Sequence, residues 1–237
     1  VCSLGQYAPP LGDFDGHLLE DGAYGFTGCP KECLPGTYGN RTNLTTSECS
    51  DMCDPGHYCP AGTSKPKPCP VGTHMPTAGA SDISLCLPCG PGTASDREAN
   101  NGTSCAPCDP GSYAEGLHNT FCSPCPERGY CSEVGAASAA MAWRPCPAGT
   151  FSNKTGLSSA DQCDPCRRGH WCDFGYEFAC NRGEFNDDKG GKQPDACERC
   201  PFASDTAAAG SDAASACTCL PQYYAASRDA RGRPLCR

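Results

Sequence analysis

The recurring apolar position in this chain is an aromatic residue, five places after a cysteine and two after a glycine. The pattern opens as Cys2…Gly5…Tyr7 and returns as Cys33…Gly36…Tyr38, Cys53…Gly56…Tyr58 and Cys108…Gly111…Tyr113. Cys146…Gly149…Phe151, Cys166…Gly169…Trp171 and Cys180…Gly183…Phe185 continue it, and degenerate copies open at Cys69, Cys89, Cys125, Cys200 and Cys219. That makes twelve units in 237 residues. No unit is long enough to bury a core of its own, so the pattern predicts a linear array stapled by covalent bonds. Glycine at the fourth position lets the chain reverse where φ > 0 is needed. Pro35, Pro55, Pro91 and Pro110 just before it suit the preceding turn position. The aromatic, found in nine of the twelve units, is expected to cover the nearest disulfide. The fold class expected is small disulfide-rich repeats: an elongated array of short β-hairpins and turns, with little helix and no single hydrophobic core.

Composition agrees. There are 24 cysteines, and Leu, Ile, Val and Phe together also number only 24. A chain with so few large aliphatics stays unfolded unless cross-linked. Four sequons, at Asn40, Asn43, Asn101 and Asn153, fit a secretory route and are expected to carry glycans. Net charge is −9 with no basic run, which argues against a nucleic-acid partner. No apolar stretch is long enough to cross a bilayer, so membrane association would come only through regions outside this chain. Val1 opens without a charged or apolar leader, as expected of an excised or processed piece of a longer secreted or surface protein.

Four regions are expected. Residues 1–32 form an atypical N-terminal cysteine loop, 33–131 a first group of repeats, 132–145 an Ala-rich spacer or single helical turn, and 146–237 a second group. Within the last, residues 203–216 read as a mobile Ala/Ser/Asp arm. Long units place their second cysteine well beyond the first and are usually followed by a two-residue spacer. Short units have five residues between cysteines, as in Cys53–Cys59, Cys125–Cys131 and Cys166–Cys172. If every unit closes on itself, pairing runs in order: Cys2–Cys29, Cys33–Cys49, Cys53–Cys59, Cys69–Cys86, Cys89–Cys105, Cys108–Cys122 and Cys125–Cys131. It continues Cys146–Cys163, Cys166–Cys172, Cys180–Cys197, Cys200–Cys217 and Cys219–Cys236, and uses all 24. An interlaced scheme, with bonds such as Cys53–Cys69, is the disfavoured alternative.

The run Cys53-Asp-Pro-Gly-His-Tyr-Cys-Pro-Ala-Gly-Thr63 resembles the ephrin-receptor-like cysteine-rich repeat. So do Cys146-Pro-Ala-Gly-Thr-Phe-Ser152 and Cys163-Asp-Pro-Cys166. That repeat is similar in pattern to modules of growth-factor and tumour-necrosis-factor receptors. With their Ala-rich filler, the units also resemble segments of large extracellular algal or protist proteins of the mastigoneme-like kind. The departures are Arg128, Ala203 and Gln222 at the glycine position and His74, Ala94 and Asp205 at the aromatic one, which leaves the geometry of those five units open.

Sharper chemistry finds little support. Cys86-x-x-Cys89 with Cys105-x-x-Cys108 has zinc-ribbon spacing, but sequons imply an oxidising compartment. Asp13, Asp15, Glu184, Asp187 and Asp188 match no calcium loop and read as solvated turn carboxylates. Five scattered histidines supply no catalytic constellation, and His57, His74 and His170 read as packing on disulfides. The reading is therefore a non-enzymatic extracellular or cell-surface segment without cofactor or metal, a rod for spacing, lateral assembly or filament formation. Its partners are other extracellular chains, copies of itself included. A receptor ectodomain is the first alternative and a zinc-binding protein the second.

Overall fold

A computed structural model describes residues 2–8 and 31–237. In most units the residue after the turn position and the one that follows it, an aromatic where the motif is complete, form a first strand. The chain then loops out and returns as a second strand beside the next unit's cysteine. Thr37–Tyr38 pairs with Asp51–Met52, and Thr73–His74 with Leu87–Pro88. The result among the described residues is twelve two-stranded antiparallel sheets, each built from consecutive strands. The two residues inside each Cys-x-x-Cys are thus not a spacer but the return strand of a hairpin, because pairing with the first strand satisfies backbone groups a free linker would leave to water.

Among the described residues helix is confined to single turns. Four 3₁₀ turns, at Ile83–Leu85, Ala160–Gln162, Pro194–Ala196 and Ala214–Ala216, each deliver the second cysteine of a long unit. The 132–145 stretch holds one α turn, Ala139–Ala142, capped by Ser138 Oγ, which accepts from the Met141 N–H. It then supplies Trp143–Pro145, which pairs with Gly129–Cys131.

Ten disulfides join successive cysteines: Cys33–Cys49, Cys53–Cys59, Cys69–Cys86, Cys89–Cys105, Cys125–Cys131, Cys146–Cys163, Cys166–Cys172, Cys180–Cys197, Cys200–Cys217 and Cys219–Cys236. Their Cα–Cα separations span 5.5 to 5.9 Å, within the ordinary range. Cys2, Cys108 and Cys122 are also disulfide-bonded, and Cys29 lies outside the described residues.

The chain divides into two bodies, Val1–Pro107 with Ala114–Cys122, and Cys108–Tyr113 with Ser123–Arg237. Within each, the same backbone ladder ties successive units. In the first body the Cys53 N–H donates to the Gly36 carbonyl, the Gly36 N–H to the Cys59 carbonyl and the Gly79 N–H to the Cys53 carbonyl, each at 2.8 Å. In the second the Cys146 N–H donates to Arg128 (3.0 Å), Arg128 N–H to Ser152 (2.9 Å) and Gly156 N–H to Cys125 (2.7 Å). Arg128, Ala203 and Gln222 keep φ of 68°, 56° and 79°, so the turn survives where its glycine does not. The units opened by Cys69, Cys89, Cys125, Cys200 and Cys219 all form the hairpin.

The ladder requires a second left-handed residue about ten places after the opening cysteine. Gly79, Ala99 and His118 fill that slot in the first body, and Gly135, Gly156 and Gly210 in the second. There the chain comes against the turn two units back. A Cβ added to Gly36 would lie 2.6 Å from the Gly79 carbonyl oxygen, and one on Gly149 2.7 Å from that of Gly190. Units therefore touch second neighbours as well as adjacent ones, closer packing than a simple stack.

Buried side chains form small local clusters. Tyr58 packs on the cluster holding Cys69 and Cys86, Tyr113 on that of Cys125 and Cys131, and Tyr130 on that of Cys146 and Cys163. Each of these three rings thus packs on the cluster that holds the following unit's disulfide. The supposed mobile arm at 203–216 is also built in. Its Thr206 is fully buried, and Ala214 packs with Phe185 and Cys217. Alanine is small enough there to let the loop close over the Phe185 ring.

Candidate functional site

One hairpin departs from the rest. The Cys166–Cys172 bond closes within five intervening residues, placing Cys172 inside the strand His170–Asp173, which pairs over four residues with Tyr176–Ala179. Only Phe174 and Gly175 connect them, with φ of 50° and 76°. Two positive φ values mark the primed turn whose twist suits a tight hairpin. Asp173 Oδ1 accepts the Phe174 N–H at 3.0 Å.

Strand alternation then separates two faces. On one, Trp171 stacks on Phe178 with ring centroids 4.4 Å apart, and Tyr176 lies 6.2 Å from Phe178. On the other, Glu177 pairs with Arg167, whose Nε donates to Oε1 at 2.7 Å. That side-chain hydrogen bond outweighs desolvation and holds the Glu177 carboxyl below its ordinary range.

Arg128 reaches the aromatic face from the turn of the Cys125 unit. Its guanidinium sits 4.5 Å from the Tyr176 ring centroid, its Nη1 donates to Tyr176 Oη at 3.5 Å, and Glu127 pairs with it at 2.9 Å. Beside this contact lies a cleft of about 260 Å³ lined by Pro126, Arg128, Ala139, Ala140, Trp143 and Tyr176. Gly129 has no side chain because the Trp143 indole occupies the space a Cβ would need. Phe174, Tyr176 and Phe178 stay 64%, 48% and 41% exposed.

Other candidate residues are dispersed. Asn40, Asn43, Asn101 and Asn153 are all exposed, and Asn43 Oδ1 also accepts the Cys2 N–H at 3.1 Å. Cys86 is bonded to Cys69 and Cys89 to Cys105, so the zinc-ribbon spacing offers no thiolate pair. Cys166, Cys172 and Glu177 come together, yet the two sulfurs are bonded to each other. Asp187 pairs with Arg231 and Glu184 with Arg199, while Asp13 and Asp15 lie outside the described residues. The His57, His74 and His170 rings each meet a backbone carbonyl, of Pro55, Gly102 and Arg168, at 3.0 to 3.3 Å.

The aromatic face itself is absent from a motif reading, since Phe174, Tyr176 and Phe178 lie off the repeat. The available signal was four aromatics within the eight residues from Trp171 to Phe178.

No family model matches the chain. It is 31% identical over 123 residues to the human protein "Signal peptide, CUB and EGF-like domain-containing protein 2", covering 49% of this chain and 12% of that protein's length. That similarity and the dense disulfides fit an extracellular cysteine-rich domain.

Proposed function

We infer that this chain is a non-enzymatic structural and interaction segment of a larger secreted or surface protein, acting as a covalently stapled rod. The observation that carries this reading is redundant closure. Ten units seal their own loops by a disulfide, Tyr58, Tyr113 and Tyr130 pack on the cluster that holds the next unit's disulfide, and backbone hydrogen bonds tie successive units through the ladder. Such an array transmits load along the backbone with almost no buried aliphatic core, which suits spacing and lateral assembly outside the cell. Similarity to a human protein whose name includes EGF-like and CUB domains supports the extracellular setting. Its partners are other extracellular chains.

Small-angle scattering on secreted, glycosylated protein tests the rod. A compact globule of this length has a radius of gyration of roughly 18 Å. A value well above that is expected, and one near it would overturn the reading.

A further inference from the structure

We propose that the joint between the Cys200 and Cys219 units is an ionic hinge, on which the Cys219 unit swings as a closed body. The proposal rests on the stapled array above and adds a compliant joint to it.

The cause is a spacer one residue short. Two residues separate the cysteines in Cys163-Asp-Pro-Cys166 and Cys197-Glu-Arg-Cys200, but one in Cys217-Thr-Cys219. Strand pairing shifts with it. Thr150 lies opposite Pro165, the residue before the next opening cysteine, whereas Ser204 at the same offset lies opposite Cys219 itself. A one-residue slip turns the side chains of a strand to its other face. The backbone ladder registers the slip. Cys166, Cys180 and Cys200 donate their own N–H to the preceding turn's carbonyl at 2.8 to 2.9 Å, but at this joint Leu220 does so, to Ala203 at 2.9 Å. Gly190 and Gly210, ten places after their opening cysteines, donate back to the Cys166 and Cys180 carbonyls at 2.9 and 2.8 Å. Asp229, at that offset in the Cys219 unit, donates instead to Arg233 within its own hairpin at 3.0 Å.

A side-chain clamp stands where that ladder bond is missing. Arg231 Nη1 donates to both carboxylate oxygens of Glu198 at 2.8 Å, and its Nη2 to both of Asp187 at 2.7 and 2.8 Å. The guanidinium also lies 5.7 Å from the Phe185 ring centroid. All three partners belong to the Cys180 unit, one unit beyond the adjacent one. Asp229 Oδ1 braces the clamp's loop by accepting the Arg231 and Arg233 N–H groups at 3.0 and 2.9 Å. Arg182 makes a similar pair across the preceding joint, with Asp205 at 2.9 Å, but there the ladder runs beside it. The Arg231 side chain is 40% exposed, so water and salt reach the clamp. Phe202 meets Tyr223 edge-on with ring centroids 6.1 Å apart, yet Phe202 is 82% exposed and that contact buries little apolar area. Charge therefore does at this joint what backbone hydrogen bonds do at its neighbours.

The test is residue-resolved hydrogen exchange on the full glycosylated chain with its disulfides intact. The Leu220 amide reports this joint and the Gly210 amide the ladder joint before it. Tyr224, whose N–H donates to the Arg237 carbonyl at 3.0 Å, reports the interior of the Cys219 hairpin. Raising salt from about 50 to about 500 mM, or Arg231→Gln, should speed exchange at Leu220 about two- to fivefold and leave Gly210 and Tyr224 unchanged. Arg182→Gln should leave Gly210 unchanged, because the ladder persists there. Leu220 indifferent to both salt and Arg231→Gln would overturn the hinge and leave the array standing. Tyr224 accelerating with Leu220 would also overturn it, since the unit would then unfold rather than swing. Gly210 accelerated by salt as much as Leu220 would refute the ladder-tied array itself.

Discussion

Replacing Gly36 by alanine probes how tightly second-neighbour units are packed. Gly36 sits at φ 89°, where a side chain costs about 1–2 kcal/mol for backbone conformation alone. The new Cβ would also stand 2.6 Å from the Gly79 carbonyl oxygen, a rigid backbone atom two units on, and overpacking of that kind adds about 1–3 kcal/mol. The total expected is about 2–5 kcal/mol. Two glycines of the same body calibrate it. Gly116 has φ 73° but nothing within 4 Å of an added Cβ, so Gly116→Ala should show the backbone cost alone, about 1–2 kcal/mol. Gly90 has neither positive φ nor a neighbour, so Gly90→Ala should be neutral or stabilise by up to about 1 kcal/mol. Because a disulfide-linked array need not unfold as one unit, the assay is hydrogen exchange with the disulfides intact. The amides of Gly36, Cys53 and Gly79 report the ladder directly. If Gly36→Ala proves no worse than Gly116→Ala, the close second-neighbour packing is wrong.

Phe185 is fully buried against Ala214 and Cys217, so Phe185→Ala should cost about 3–5 kcal/mol, read as faster exchange confined to the Cys180 and Cys200 units. The Glu177 carboxyl is held low when folded, so its stabilising contribution is fully present above the ordinary glutamate value and is lost as pH falls through the depressed one. Exchange in the 170–179 hairpin should therefore accelerate on acidification, and Glu177→Gln should abolish that dependence. Glycosidase treatment should shift the mass of peptides bearing Asn40, Asn43, Asn101 and Asn153, and each Asn→Gln change should remove its own shift.

The hairpins were legible in the sequence because the same residues that define the motif build the first strand, as in Thr37–Tyr38 and Thr150–Phe151. Their partners were not. Asp51–Met52 is exposed and carries no strand pattern, and only cross-strand pairing makes it a strand. Arg128, Ala203 and Gln222 hide their turns because each keeps a positive φ without glycine, and at Arg128 backbone hydrogen bonds with Ser152 and Cys146 hold that conformation. The second left-handed slot was visible in principle, since Gly79, Gly135, Gly156, Gly190 and Gly210 each follow their opening cysteine by ten residues. Asn43, Ala99 and His118 at the same offset blur it. Residues 203–216 look like an arm because packing of Ala214 on Phe185 leaves no hydrophobic signature. The face around Tyr176 escapes motif reading for a related reason: its parts, Arg128 and the 170–179 hairpin, come together only in space.

Self-closure of each unit is tested most directly by peptide mapping of the secreted protein under non-reducing conditions. Fragments linking Cys33 to Cys49, Cys53 to Cys59, Cys69 to Cys86 and Cys166 to Cys172 are expected. A fragment joining Cys53 to Cys69 would contradict the self-closed array and the rod built on it.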